Sequence, residues 1–127
     1  MTRRHPAEHI RALLEELVAR VKARVPGAVG SARDDGIERD GALRAYASFL
    51  AAPDGDAISV TVLIRPLGVG AQCTADCVRE ATVIDEMPVL TVADLEPAVA
   101  AEAILRAVAE FVRAQEDRVV RELKGAP

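Results

Sequence analysis

A chain of 127 residues, half of them apolar, is long enough to bury one core and needs no second domain, so residues 1–127 are read as a single unit. Its formal net charge of −4 and its three aromatics, Tyr46, Phe49 and Phe111, argue against nucleic-acid binding, which wants a basic footprint and stacking faces. No apolar run reaches the about 18 residues that a membrane span needs, so no membrane partner is expected.

At the start of the chain, residues 1–5 are expected to fray. His5-Pro6-Ala7-Glu8-His9 matches H-x-x-E-H, the inverted zincin pattern. That chemistry needs both histidines on one face of a buried helix, a glutamate base and a third ligand. Pro6 is best tolerated at the first helical position, which leaves His5 outside the helix and breaks the i, i+4 geometry. His5 and His9 are therefore the nearest approach to a metal site, yet the expectation is a solvated pair, with no metal and no cofactor. They are also the chain's two histidines, so a Ser-His or Cys-His nucleophile pair has little to draw on. No glycine-rich phosphate loop of strand-to-helix type is present. Arg3, Arg4 and His5 lead into a charged helix rather than an apolar leader, so a cytoplasmic protein is expected.

The first helix follows from apolar residues at the 3.6 period: Ile10, Leu13, Leu14, Leu17, Val18, Val21 and Val25 make one stripe. Glu8 near its start and Arg20, Lys22 and Arg24 near its end suit the helix dipole, and Pro26-Gly27 stops it. Residues 28–41 read as a loop or an extra edge strand. Asp40-Gly41 is a strong hairpin signal, so residues 35–39 are the stretch that would add a fourth strand.

Three antiparallel strands follow, read from side-chain parity. Leu43, Ala45, Ala47, Phe49 and Ala51 share one face of the first, and Ile58, Val60, Val62 and Ile64 share one face of the second. In the third, Ala71, Cys73, Ala75 and Cys77 fall together. Pro53-Asp54-Gly55-Asp56 and Leu67-Gly68-Val69-Gly70 supply the turns. Arg79 has the parity of inward Cys77, so the strand should end, bulge or turn its face there. Cys73 and Cys77, at i and i+4 on one strand face, would stand about 13 Å apart, too far to bridge each other. They read as reduced core residues. The adjacent acidic pairs Asp34-Asp35 and Asp85-Glu86 read as solvated loop ends.

A second, longer helix should start with Asp94 as N-cap, carry Pro97 in its first turn and run to about Leu123, leaving residues 124–127 as a tail. At 1.5 Å per residue it would be about 43 Å long, against about 33 Å for a strand of ten residues. Its last turns should overhang the sheet. The overhang still carries apolar residues, so Phe111, Val119, Val120 and Leu123 are the expected homodimer interface.

The fold class is thus α+β: an antiparallel sheet of three or four strands flanked by an N-terminal and a long C-terminal amphipathic helix. The small residues on the inward strand faces imply close approach of a helix, or else the floor of a ligand cavity beneath the C-terminal helix. The opposite strand faces carry Arg44, Tyr46, Ser48, Ser59, Thr61, Arg65, Gln72, Thr74 and Asp76. Tyr and Arg are enriched at interface anchors. Arg44, Tyr46, Ser48, Thr61, Arg65, Gln72 and Thr74 are accordingly the expected partner-binding residues.

The helix, meander, helix order is similar to that of small bacterial secretion chaperones and immunity proteins, and the resemblance implies a protein client and no catalysis. The expectation is a non-enzymatic protein-binding module of a bacterial cytoplasm, with a protein or a second copy as partner. The alternatives are a small-molecule-binding or enzymatic domain using the sheet–helix cavity, and a structural subunit of a larger assembly.

Overall fold

The computed structural model describes residues 6–37, 41–51, 55–67, 70–92 and 97–125. Eight elements run in the order α1 (Pro6–Arg24), β1 (Val29–Ile37), β2 (Leu43–Leu50), β3 (Ile58–Pro66), β4 (Ala71–Arg79), β5 (Thr82–Glu86), β6 (Leu90–Val92) and α2 (Pro97–Lys124). The expected α+β architecture is found, with a six-stranded antiparallel sheet instead of three or four strands. The strands are hydrogen-bonded in the order β1-β2-β3-β4-β5, and β6 pairs with β4.

The fourth strand does exist, but it begins at Val29 and not near residue 35. It was hard to read because Gly30, Ala32 and Asp34, which share a face, do not make an apolar row. Gly30 is there for proximity: a Cβ on it would come within 3.1 Å of the Phe49 ring and 3.3 Å of Val18, so α1 closes tightly on this edge. The two strands beyond β4 form one interrupted edge. β5 pairs with the second half of β4 and β6 with the first, with Met87-Pro88-Val89 between them. Opposite Cys77 and Val78 stand Asp85 and Val83, which leaves Ile84 as a bulge residue. Bulge and proline together break the alternation that marks a strand in sequence.

Both helices cover one face of the sheet, α1 over β1 and β2 and α2 over β3, β4 and β6, and they pack on each other. Ile10, Leu14, Leu17, Val18 and Val21 of the α1 stripe are buried, with Leu13 and Val25 at its margin. They meet Ala45, Ala47, Phe49, Val60, Val62, Cys73, Ala75 and Cys77 from the sheet and Val108 and Val112 from α2 in one core cluster. Each such Val, Leu or Ile contributes about 1.5–3 kcal/mol relative to exposure. Ala51, expected on the inward side, is exposed beyond the end of β2. The helix ends follow the sequence: α1 stops before Pro26-Gly27, with Gly27 at φ 92°, and α2 starts at Pro97. Asp94, the expected N-cap, and the turn residues Asp40, Pro53, Asp54, Gly68 and Val69 lie outside the described residues, as do residues 1–5 and 126–127.

The end of α2 does not overhang. Phe111, Val119, Val120 and Leu123, expected at a dimer interface, are buried within the chain itself and belong to its own core. Comparing helix length with strand length left out what lies beside the helix. Arg20 and Arg24 of α1 pair with Glu116, and Arg24 also with Asp117, so α1 runs beside the middle of α2 and its last turns reach the start of the final third. Arg79 pairs with Glu122, tying the end of β4 to the same turns. A second copy would not dock on those four side chains.

Candidate interaction surface

The sheet has two faces of opposite character, and parity assigns every strand residue to one of them. On the covered face, charge is kept within the chain. β4 ends at Arg79, one of the expected outcomes, and the side chain does not turn away. It stays on the helix side with one guanidinium nitrogen 2.7 Å from Glu122 and another 3.1 Å from Asp56. Asp85 and Glu86, expected in a loop, are on β5 and point to opposite faces. Asp85 turns to α2, where Gln115 Nε2 donates to its Oδ2 at 2.9 Å and to the Phe111 carbonyl at 3.1 Å. The Arg118 Nε lies 3.7 Å from the same carboxylate.

Gln115 is fully buried, and sequence reading passed over it. It occupies the gap in the α2 stripe between Val112 and Val119, where the 3.6 period calls for an apolar residue. A polar residue at such a gap signals a buried hydrogen-bond partner. Asp34, from the other acidic pair, is on β1, facing Arg11 at 3.5 Å. Cys73 and Cys77 are free and buried, and burial pushes their thiols up to about 11 and about 12. They are protonated core groups at neutral pH.

The inward small residues Ala45, Ala47, Cys73, Ala75 and Cys77 are all buried under the helices. This arrangement matches close helix approach. His9 is exposed on α1 beside a shallow cleft against Leu105 and Ala109, and His5 lies outside the described residues. Among the described residues no three His, Cys, Asp or Glu side chains are grouped to hold a metal ion. No helix of the described residues is long and apolar enough to cross a membrane.

The other face is uncovered, and all seven expected partner-binding residues lie on it. The pairing register sets them in rows across the strands. One row is Arg33, Tyr46, Thr61, Asp76 and Glu86 on β1 to β5. On one side of it run Ser31, Ser48, Ser59, Val78 and Val83. On the other run Arg44, Leu63 and Thr74, and then Arg65, Gln72 and Thr91. Leu63, Arg65, Gln72 and Thr74 line a shallow cleft of about 200 Å³. Tyr46, Ser48, Thr61, Gln72 and Thr74 are half-buried by their neighbours, whereas Arg33, Arg44, Arg65 and Glu86 project into solvent.

Every ion pair among the described residues lies at the helices or the covered face. Arg33, Arg44 and Arg65 form none. Asp76 and Glu86 stand directly opposite each other on adjacent strands, a like-charge pair that the sheet does not relieve. Burial first, and then the charge of Glu86, raises the Asp76 carboxyl above its ordinary value.

The sheet edges offer less. β1 carries a register shift and Asp34-Asp35, and the β5–β6 edge is broken by the Ile84 bulge and Pro88. These are the devices by which natural sheets resist strand addition. Comparison of the chain with family models, with curated proteins and with solved structures gives no match, so the resemblance to secretion chaperones and immunity proteins is one of element order alone.

Proposed function

We propose that this chain is a non-enzymatic protein-binding module whose interaction surface is the uncovered face of its sheet. The observation that carries this reading is the asymmetry of charge compensation. Arg20, Arg24 and Arg79 on the covered side are matched by carboxylates from the same chain, although Arg113 and Arg121 on the outside of α2 are not, while Arg33, Arg44 and Arg65 are left to solvent around a half-buried tyrosine. Arginine and tyrosine set among small hydroxyl residues are the side chains from which interface anchors are built. Cover over the small-residue floor favours this reading over a ligand cavity beneath α2. Lys22 and Lys124 are the chain's lysines against fourteen arginines, which together with abundant Ala and Val suits a high-GC bacterial genome. Two thiols kept as core residues suit a reducing cytoplasm.

The test is a photo-crosslinking amino acid placed at Tyr46 and, as a control, at exposed Ala114 on the outer side of α2, with products read by intact mass in the protein's own host. Adducts are expected from position 46 and not from 114. No adduct at 46, or equal yields from the two positions, overturns the reading.

A further inference from the structure

The uncovered face is polarised from one lateral edge to the other. Its cations Arg33 and Arg44 lie on β1 and β2, where Asp35 in the β1 register shift offsets one of them, and its anions Asp76 and Glu86 lie on β4 and β5. Between them β3, the middle strand of the five, presents Ser59, Thr61 and Leu63, with Arg65 at the rim. One row divides side-chain size in the same way, although Val29 and Leu50 stand on the cationic half in the next. In the row beside the charged one, Ser31 and Ser48 stand on the cationic half and Val78 and Val83 on the anionic half, and Val83 is 51% exposed.

A half-turn about an axis laid along β3, in the plane of contact, exchanges the two lateral edges and returns β3 to itself. Adjacent strands are about 4.8 Å apart, so Arg33 and Glu86 sit about 10 Å on either side of that axis. The half-turn brings each over the other, sets Tyr46 over Asp76, and lays the valines Val78 and Val83 over the serines Ser48 and Ser31. Thr61 and Leu63 meet their own copies. Arg33 meets an opposite charge and the serines meet the valines under the same operation, while Arg44 comes over Thr74 and Arg65 near its own copy; such self-complementarity is what an isologous interface uses.

We propose that the uncovered sheet face binds a second copy of this chain, sheet against sheet, with β3 on the two-fold axis and each Arg33 set against the Glu86 of the second copy. The inference rests on the reading of this face as the interaction surface and names its partner. Aligned packing of two sheets puts them about 10 Å apart with strands crossing at about −30°, so the axis runs about 15° off the direction of β3 and meets it at Thr61, which splays the strand ends and separates the two Arg65 side chains. Five strands of about eight residues give a projected face of about 600 Å², and side-chain relief adds to it. A standard interface takes about 800 Å² from each partner, so a copy of the chain uses the whole face, and the contact falls at the reversible end of the range. The half-turn also supplies a cation near the Asp76–Glu86 pair and a carboxylate for Arg33, the groups the isolated chain leaves uncompensated.

Sedimentation velocity on the full chain, over concentrations up to the millimolar range, tests this with Arg33→Glu, Glu86→Arg and the double variant. Both positions are exposed, and circular dichroism checks that each variant folds. The wild type is expected to dimerise, each single reversal to weaken the dimer by at least about tenfold, and the double reversal to restore it. Independently of charge, Thr61→Cys is expected to join to its own copy through a short bismaleimide, whereas Ala114→Cys on α2 does not. A wild type that stays monomeric overturns the second-copy proposal, as does a dimer indifferent to both reversals or a double variant that is not rescued. The Tyr46 crosslink then separates the two ideas: an adduct with the mass of another protein leaves the face as the interaction surface with a different partner, and no adduct removes both.

Discussion

The two faces of this sheet are made by alternate residues of the same strands, yet they solve opposite problems. On the covered face, Ala45, Ala47, Ala75, Cys73 and Cys77 are small because two helices lie against them. The charges that reach that side, Asp34, Arg79 and Asp85, each find a partner on a helix. On the uncovered face, arginines and carboxylates stand in rows with no internal partner. Folding needs the first arrangement and gains nothing from the like-charge pair in the second. The difference locates the compensated charges and the core on one face and the uncompensated charges on the other.

That division is sharpest at neighbouring positions. Phe49 is buried against Gly30 and α1, and Phe49→Ala should destabilise the chain by about 3–5 kcal/mol through lost transfer energy and the cavity left behind. Arg44→Ala, on the other face of β2, should stay within about 0.5 kcal/mol. Urea unfolding of the two variants reads the contrast, and equal losses would break it. Next in size is Ala75→Leu. If the small-residue floor is filled by α2, the added methyl groups overpack it and cost about 1–3 kcal/mol, whereas Thr74→Leu on the uncovered side costs little. A tolerated Ala75→Leu would reveal free space above the floor and revive the ligand-cavity alternative.

How much of this was legible in the sequence depended on whether local pattern or long-range packing decided the outcome. The α1 stripe, its stop at Pro26-Gly27 and the alternation in β2, β3 and β4 are local, and each was found where its residues predict it. The seven partner-binding candidates followed, because parity alone puts them opposite Ala45, Val60 and Cys73. β1 hid its strand character because its inward residues are small and polar to admit α1, and β5 hid its own behind the Ile84 bulge. Arg33 and Glu86, which complete the central row, were missed with those strands. The fate of Val119, Val120 and Leu123 was not legible from helix length, since it depends on how the end of α2 is held against the chain, by the Arg20 and Arg24 pairs just before it and by Arg79 from the sheet.

The smallest expected effect carries opposite signs on the two faces. On the helix side, hydrogen bonds from Arg20 and then Arg24 hold the Glu116 carboxyl below its ordinary value, and Arg24 does the same for Asp117. The Glu116 side chain is only 16% exposed. The unfolded chain therefore takes up these protons first, so the stabilisation is fully present above the ordinary carboxylate range and is lost as pH falls through it toward the depressed values. On the uncovered face Asp76 is raised by burial and by Glu86. There the folded chain takes up the proton first, so ionised Asp76 opposes folding at neutral pH, and that penalty disappears as pH falls through its raised value. Because Asp76 is only half-buried, the penalty is worth roughly a few tenths of a kcal/mol. Urea midpoints followed from neutral pH downward, at protein concentrations low enough to keep the uncovered face free, should separate the two. Asp76→Asn should raise stability slightly at neutral pH and leave the acid loss intact, whereas Arg20→Gln with Arg24→Gln should flatten the acid loss and leave the Asp76 effect in place. If Asp76→Asn lowers stability instead, the carboxylate has a partner within the chain, and the contrast between a compensated and an uncompensated face fails at its most acidic corner.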